Sequence, residues 1–188
     1  MIGRTMLVAA SMGGILLTGC SKKEPEQPAP QPAAAEETVR PAQPAVETND
    51  RTAEEAEARA RAEAERLRAV LTQVIHFDYD ESAIRPSDQE TLAAKAAILR
   101  EYPDVRLRIA GHADERGSIE YNLALGMRRA EAAKQFLVNY GLDASRFETV
   151  SFGEERPVAP GQDESAYAQN RRDEFQIIAG DDALVPRP

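Results

Sequence analysis

The chain has 188 residues, a formal net charge of -9, no tryptophan and only 5% aromatic residues. An acidic chain does not suit nucleic-acid binding, because phosphates require a stripe of clustered Lys and Arg side chains. Its single cysteine, Cys20, excludes an intramolecular disulfide. The length leaves room for one domain with extensions at its ends.

The first twenty residues have the pattern of an export signal. Arg4 is the one charged residue before an apolar run over residues 6–17, which is too short to span a membrane. The run ends in Leu17, Thr18, Gly19 and Cys20, which resembles the lipobox of bacterial lipoproteins. This resemblance implies a signal peptide over residues 1–19 and acylation of Cys20, and Ser21 implies delivery to the outer membrane. The alternative is an unpaired thiol in a flexible tail.

Two low-hydrophobicity segments follow. Residues 20–50 are dominated by Pro, Ala, Glu and Gln, so they predict a disordered linker, either a tuned tether or a spacer of no particular length. Residues 51–70 predict a charged Ala/Glu/Arg helix that starts with a Thr52 and Glu55 capping box. Because this helix has almost no apolar stripe before Leu67, we expect it to be solvated, and the absence of a heptad pattern disfavours a coiled coil.

The pattern from residue 71 to 180 predicts one folded domain. A strand runs to about Phe77, and a helix begins at a Ser87 and Glu90 capping box and stops at Pro103. A second strand covers residues 105–109, a long helix residues 118–140 and a third strand residues 146–152. A short helix over residues 164–172 and a last strand over residues 174–179 complete the domain. We expect a flexible tail over residues 181–188.

The order βαβαβ(α)β predicts an α+β sandwich, with two main helices packed on one face of a mixed β-sheet. The apolar spacing of the long helix predicts that its buried residues are Leu123, Met127, Ala130, Ala133, Leu137 and Tyr140.

The turn between the second strand and the long helix is the candidate ligand site. It carries the carboxylates Asp114 and Glu115, and Asn122, Gly126 and Arg129 follow at helical spacing i, i+4 and i+7. An acid, an amide and a guanidinium would therefore converge, and Gly126 predicts a close neighbour, which could also be another helix. Without a ligand, Asp114 would cap the helix or pair with Arg116, Asn122 would bond to the backbone, and Arg129 would be solvated.

One motif resembles a known family signature: GHADERG at residues 111–117, followed by EYN, LG and RRA. It resembles the signature of the OmpA-like peptidoglycan-binding domains, and among them that of the peptidoglycan-associated lipoprotein (Pal) family. The resemblance spans residues 73–180. The resemblance implies that Asp114 binds the amino group of the diaminopimelate in the stem peptide. It implies that Arg129 binds the carboxylate of the same residue and that Asn122 lines the pocket.

Two segments depart from the family's pattern. Ser82 and Ala83 replace a Tyr-Asp pair of the pocket loop, which leaves Asp80 as a candidate substitute. Asp173 replaces an apolar residue, which we expect to weaken the start of the last strand. The Asn170, Arg171 and Arg172 triplet matches the family, and we expect it to be structural and to pair with nearby carboxylates.

The resemblance implies an outer-membrane lipoprotein whose domain faces the periplasm, binds peptidoglycan and partners Tol-system proteins in envelope integrity and cell division. One alternative is an OmpA-like lipoprotein without Tol partners. Another is a cell-wall hydrolase, for which Asp78, Asp80, Asp114 and Glu115 could supply a carboxylate pair.

We expect no enzyme, because a domain this small has little material for the deep cleft that raises the pKa of a catalytic acid. A metal site built from His76, Asp78, His112 and Asp114 is conceivable. The sequence lacks an HExxH motif or a cysteine cluster, so we expect neither a metal nor a cofactor.

Overall fold

A computed structural model describes residues 47–185, with side chains from residue 51 onward. The predicted signal peptide, the predicted lipidation site at Cys20, most of the predicted linker and residues 186–188 lie outside the described residues. The described helices are α1 (Glu47–Thr72), α2 (Pro86–Glu101), α3 (Ile119–Asn139) and α4 (Glu164–Asn170). The strands are β1 (Ile75–His76), β2 (Arg106–His112), β3 (Phe147–Gly153) and β4 (Arg172–Ala179). Short 3-10 turns cover Ala144–Arg146 and Asp181–Leu184.

The four strands form one mixed sheet in the order β1-β4-β2-β3. Strand β4 runs antiparallel to both β1 and β2, whereas β3 runs parallel to β2. In the register, Ile109 of β2 lies between Phe175 of β4 and Thr149 of β3. The predicted α+β architecture and element order are confirmed, and α1 corresponds to the charged helix predicted in front of the domain.

The core lies between one face of the sheet and the helices. Alternate residues of β2, Leu107 and Ile109, are fully buried, as expected for the inward side of a strand. Both main helices contribute to the same cluster, as predicted. From these two helices, its buried members are Leu92, Ala96 and Leu99 of α2 and Ala130, Ala133 and Leu137 of α3.

Helix α1 differs from the expected solvated helix. It begins at Glu47, within the predicted linker, so Thr52 lies inside the helix rather than at its start. Ala64 and Leu71 are fully buried in the core, although most other side chains of the helix are exposed. Lys95 of α2 donates to the carbonyls of Val70, Leu71 and Gln73 at 2.7–2.8 Å. The end of α1 therefore packs as part of the domain, since its last carbonyls are satisfied by α2.

Two more local predictions differ from the structure. Helix α2 begins one residue after Arg85, with Pro86 in its first turn and no side-chain cap, so the Ser87 and Glu90 capping box does not form. Proline is well suited to the first helical position because its fixed φ is already helical. In the expected flexible tail, Leu184 is fully buried and Asp181 pairs with Arg68 at 2.6 Å, so this part of the tail is packed.

The buried face of α3 also differs from the predicted one. Met127 and Tyr140 are 39% and 38% exposed, while Asn122, Gly126 and Arg129 are buried. The reason is a close approach between α3 and β2: a Cβ added to Gly111 would lie 1.8 Å from the Gly126 carbonyl oxygen. The close neighbour of Gly126 is thus a strand, and the contact turns the polar face of α3 toward the end of β2.

Candidate ligand cavity

A cavity of about 110 Å³ lies where β2 ends and α3 begins. The loop after β1, the turn after β2 and the first three turns of α3 surround it. All four sequence-predicted site residues line it. The lining residues are Tyr79, Asp80, Ala113, Asp114, Arg116, Gly117, Tyr121, Asn122, Leu125 and Arg129.

Arg129 forms the buried cation of this cavity. It is fully buried, which contradicts the alternative of a solvated helix arginine. Its Nε donates to the Glu81 carbonyl at 2.8 Å, its Nη1 to the His112 carbonyl at 2.7 Å and its Nη2 to the Asp78 carbonyl at 3.1 Å. A guanidinium has five N–H donors, so these three bonds leave two for a ligand. Burial lowers the pKa of Arg129 to about 10, so it stays charged at neutral pH.

Asp114 is buried and already paired. Its carboxylate accepts from the Arg116 side chain at 2.7 and 3.0 Å and from Nη1 of Arg171 at 3.2 Å. Burial alone would raise the pKa of this carboxyl, but the hydrogen bonds from both arginines outweigh it and hold the pKa below its usual value. Asp114 is therefore ionised at neutral pH. It forms the ion pair with Arg116 that we expected in the absence of a ligand.

The triplet before β4 has the structural role that we predicted for it. Arg171 joins Asp114 to Glu164, whose Oε1 accepts from Nη2 of Arg171 at 2.8 Å. Arg172 pairs with Glu174. The Asn170 side chain accepts from the backbone N–H groups of Val158 and Ala159, so it fixes the loop before α4.

Arg116 lines the cavity and takes part in a stack that sequence reasoning missed. Its guanidinium lies 4.1 Å from the ring centre of Tyr79 and 4.4 Å from that of Tyr167, and 3.4 Å from a carboxylate oxygen of Glu164. Such stacking suits the planar, weakly hydrated guanidinium. The position of Arg116, two residues after Asp114, could have indicated that it lies near the site. The stack itself could not be predicted, because its aromatic partners come from distant parts of the chain.

Asn122 fixes the turn beneath the cavity. Its side-chain nitrogen donates to the Asp114 carbonyl at 3.1 Å and to the Glu154 carboxylate, and it is 1% exposed. The Asn122 side chain thus bonds to the backbone, as expected in the absence of a ligand, and it also lines the cavity.

Asp80 is the exposed carboxylate of the cavity. It accepts a hydrogen bond from the Tyr121 hydroxyl, and no ion pair involves it among the described residues. Its φ of 56° lies in the left-handed region, which Asp tolerates better than most residues. Ser82 and Ala83 do not line the cavity, so this loop contributes through Tyr79 and Asp80.

Two observations concern the metal and hydrolase alternatives. Within residues 47–185, no group of three His, Cys, Asp or Glu side chains could hold a metal ion, and His112 lies buried against Phe152 with ring centres 5.5 Å apart. A general acid needs a raised pKa, whereas that of Asp114 is lowered.

Among residues 47–185, no helix combines the length and hydropathy that a membrane span requires.

Comparisons with known proteins agree on one family. The profile of the OmpA family matches residues 76–171. A peptidoglycan-associated lipoprotein of Mesorhizobium japonicum is 54% identical over 98 residues, which cover 52% of this chain and 58% of that protein. One from Pseudomonas aeruginosa is 46% identical over 110 residues, covering 58% of this chain and 64% of the relative. The match thus spans less than two thirds of either relative.

Solved structures show the same fold. The peptidoglycan-associated lipoprotein from Burkholderia pseudomallei superposes with a TM-score of 0.55 at 41% identity, over 56% of this chain and 89% of that one. The C-terminal domain of Helicobacter pylori MotB gives a TM-score of 0.53 at 22% identity, over 60% of this chain and 91% of that one, and supports the fold alone.

Proposed function

Because this chain belongs to the OmpA family, we propose that its cavity binds the stem peptide of peptidoglycan through an amino-acid end that carries both an ammonium and a carboxylate, as in diaminopimelate. The observation that carries the proposal is the buried Arg129 cation, which keeps two N–H donors beside the exposed carboxylate of Asp80. The names of the relatives support peptidoglycan as the source of the ligand.

Arg129 binds the carboxylate of the ligand. Its three backbone bonds fix the plane of the guanidinium, so little conformational entropy is lost when a ligand arrives. A charge-assisted, two-pronged hydrogen bond in a small cavity contributes about 1.5–3 kcal/mol. Lysine in the same place could offer only a point charge.

Asp80 and Asp114 bind the ammonium. Asp80 is exposed and, within the described part of the chain, receives only a neutral hydroxyl, so it can accept a cation directly. Asp114 already bonds to two arginines, so an ammonium reaches it by taking the place of Arg116, which is the more exposed of the two. Arg171 remains beneath Asp114 and holds it in place.

The size of the cavity fits this ligand. At about 110 Å³ it is well below the several hundred Å³ usual for whole small molecules, so it suits the end of one amino-acid side chain. The glycan strand would remain outside.

The proposed biological role is a tether. Acyl chains at Cys20 would hold the chain in the outer membrane, since more than one chain gives stable anchoring. The linker would then let the domain reach the cell wall from the periplasmic side. Tol-system proteins are proposed partners on the family resemblance alone, and a family lipoprotein without them is the alternative. Co-purification of Tol proteins with the chain from envelope extracts would distinguish the two.

Sedimentation with purified peptidoglycan tests the binding. The full-length chain in detergent solution is compared as wild type, Arg129→Lys and Arg146→Lys. Arg146 is the matched control, because it also donates to three backbone carbonyls, those of Leu99, Tyr102 and Val105 near the opposite end of β2. Both variants lose structural hydrogen bonds, whereas only Arg129 lines the cavity.

We expect wild type and Arg146→Lys to pellet with the wall, and Arg129→Lys to bind about 10- to 100-fold more weakly, as the loss of one charged fork predicts. If both variants pellet equally well, Arg129 does not bind the ligand. If wild type stays in the supernatant, the peptidoglycan proposal itself is wrong.

A further inference from the structure

Asp173 is a carboxyl group buried on the core side of the sheet. It lies in the register of β4 between Ile75 of β1 and Gly111 of β2, and its side chain is 0% exposed. The strand is not interrupted there, contrary to our expectation of a weak start. Aspartate is rarely fully buried without a partner, because an isolated charge is costly in a medium of low polarity.

Both carboxyl oxygens of Asp173 lack a hydrogen-bond partner among the described residues. Burial raises the pKa of this carboxyl well above its usual value, and the Arg129 guanidinium opposes the rise. Arg129 in turn gives its three observed hydrogen bonds to neutral carbonyls and forms no ion pair within the described part of the chain. The end of β2 connects the two residues: Asp173 pairs in register with Gly111, and Arg129 donates to the carbonyl of the next residue, His112, at 2.7 Å. Two buried, chargeable groups thus lie on the same end of β2 without a direct bond.

We propose that Asp173 is a positioning residue, at the same end of β2 as Arg129, that sets the charge which the cavity presents to an anionic ligand. With Asp173 neutral, the guanidinium charge is available to a ligand carboxylate. With Asp173 ionised, the two buried charges compensate each other and the cavity loses its net attraction for an anion. The inference rests on the proposed function, because the ligand carboxylate is the group that competes with Asp173.

Other charged groups on the elements around Asp173 are engaged elsewhere or open to solvent. They are Lys95 from α2, Arg171 at the start of β4, Asp114 after β2, and Asp78 and Asp80 in the loop after β1. Lys95 donates to the carbonyls of α1 and the residue that follows it, while Arg171 and Asp114 bond to each other. Strand β1 contributes apolar Ile75 on this side, and β2 contributes Gly111. Arg129 is the charged group that α3 contributes.

The two equilibria are linked. A ligand carboxylate on Arg129 disfavours the ionised form of Asp173, so binding and protonation of Asp173 promote each other by the same factor. The affinity for the ligand therefore falls as the pH rises through the pKa of Asp173, since the unbound protein releases a proton that the bound protein keeps.

Calorimetric titration with a soluble stem peptide ending in diaminopimelate tests this between pH 5 and pH 9. The chains are wild type, Asp173→Asn, which keeps the shape of the neutral acid, and Asp182→Asn, an exposed control with the same change in formal charge. We expect the affinity of wild type and of Asp182→Asn to fall about tenfold across this range, a usual size for coupled sites. That of Asp173→Asn should vary by less than about twofold, because the linked proton is gone.

A wild-type affinity that does not depend on pH, or an identical fall in Asp173→Asn, would overturn the inference and leave the proposed function intact. Absence of binding by all three chains at every pH would instead overturn the proposed function and this inference with it. A second measurement needs no variant: the ¹³C shift of the Asp173 carboxyl in wild type should titrate at higher pH when the peptide is bound. An unchanged titration would contradict the linkage.

Discussion

Substituting Gly126 with alanine tests the contact that places α3 over the end of β2. In an isolated helix, glycine to alanine is favourable by about 1 kcal/mol. Here the new Cβ would lie 2.4 Å from Oγ of Ser151 and 2.7 Å from the carbonyl oxygen of Gly111. The serine side chain can rotate away. The Gly111 carbonyl cannot, because its strand is paired on both sides within the sheet.

Helix α3 must therefore move outward by several tenths of an ångström. Overpacking of this kind is unfavourable by about 1–3 kcal/mol, so the gain in helix propensity is cancelled or exceeded. The movement also lengthens the 2.7 Å bond between Arg129 and the His112 carbonyl, which positions the guanidinium in the cavity. We predict a net loss of up to about 2 kcal/mol in the free energy of unfolding, together with weaker peptidoglycan binding.

Gly141→Ala is the matched control. Gly141 has φ of 86° and no atom within 4 Å of an added Cβ, so alanine introduces only backbone strain, about 1–2 kcal/mol. Urea unfolding followed by circular dichroism should show a loss of stability in both variants, while sedimentation with peptidoglycan should weaken only in Gly126→Ala. A Gly126→Ala chain as stable as wild type, with normal binding, would refute the close-contact argument.

Two further predictions concern buried ionisable groups. Burial lowers the pKa of His112 from 6.5 to about 4. As the pH falls between these values, the unfolded chain binds a proton at His112 and the folded chain does not. The free energy of unfolding therefore falls by up to about 3 kcal/mol over that interval. His112→Leu should lack this fall in unfolding titrations from pH 7 to pH 4, and a fall of equal size would contradict the assignment to His112. Lys95→Met removes the donor of three carbonyls and should lower stability by about 2–4 kcal/mol. It should also make α1 more sensitive to limited proteolysis, whereas unchanged cleavage would show that Lys95 does not hold α1.

The elements and their order could be predicted because hydrophobic periodicity and turn residues are local signals. The shared face of Asn122, Gly126 and Arg129 followed from helical spacing alone, and the structure brings that face to the cavity. Which face of α3 is buried could not be found in the same way. Apolar spacing favoured Met127, but the approach of Gly111 to Gly126 decides the rotation of the helix, and that contact joins two elements.

The contacts that charged side chains make between different elements were the second feature that sequence could not predict. The pairing of Arg171 with a nearby carboxylate was expected, but its partner, Asp114, could not be identified from sequence. The stack of Arg116 between Tyr79 and Tyr167 and the burial of Asp173 depend on the packing of separate segments. Sequence therefore predicts which groups are near the site, while the fold decides which of them are already paired.

A thermodynamic cycle tests the central claim, that Arg129 binds the ligand carboxylate. The titrations compare a stem peptide ending in diaminopimelate with the same peptide ending in lysine, which differs only by lacking that carboxylate, for wild type and Arg129→Lys. Wild type should prefer the diaminopimelate peptide by about 10- to 100-fold, and Arg129→Lys should lose most of this preference. Equal affinity of wild type for both peptides, or an undiminished preference in Arg129→Lys, would contradict the account.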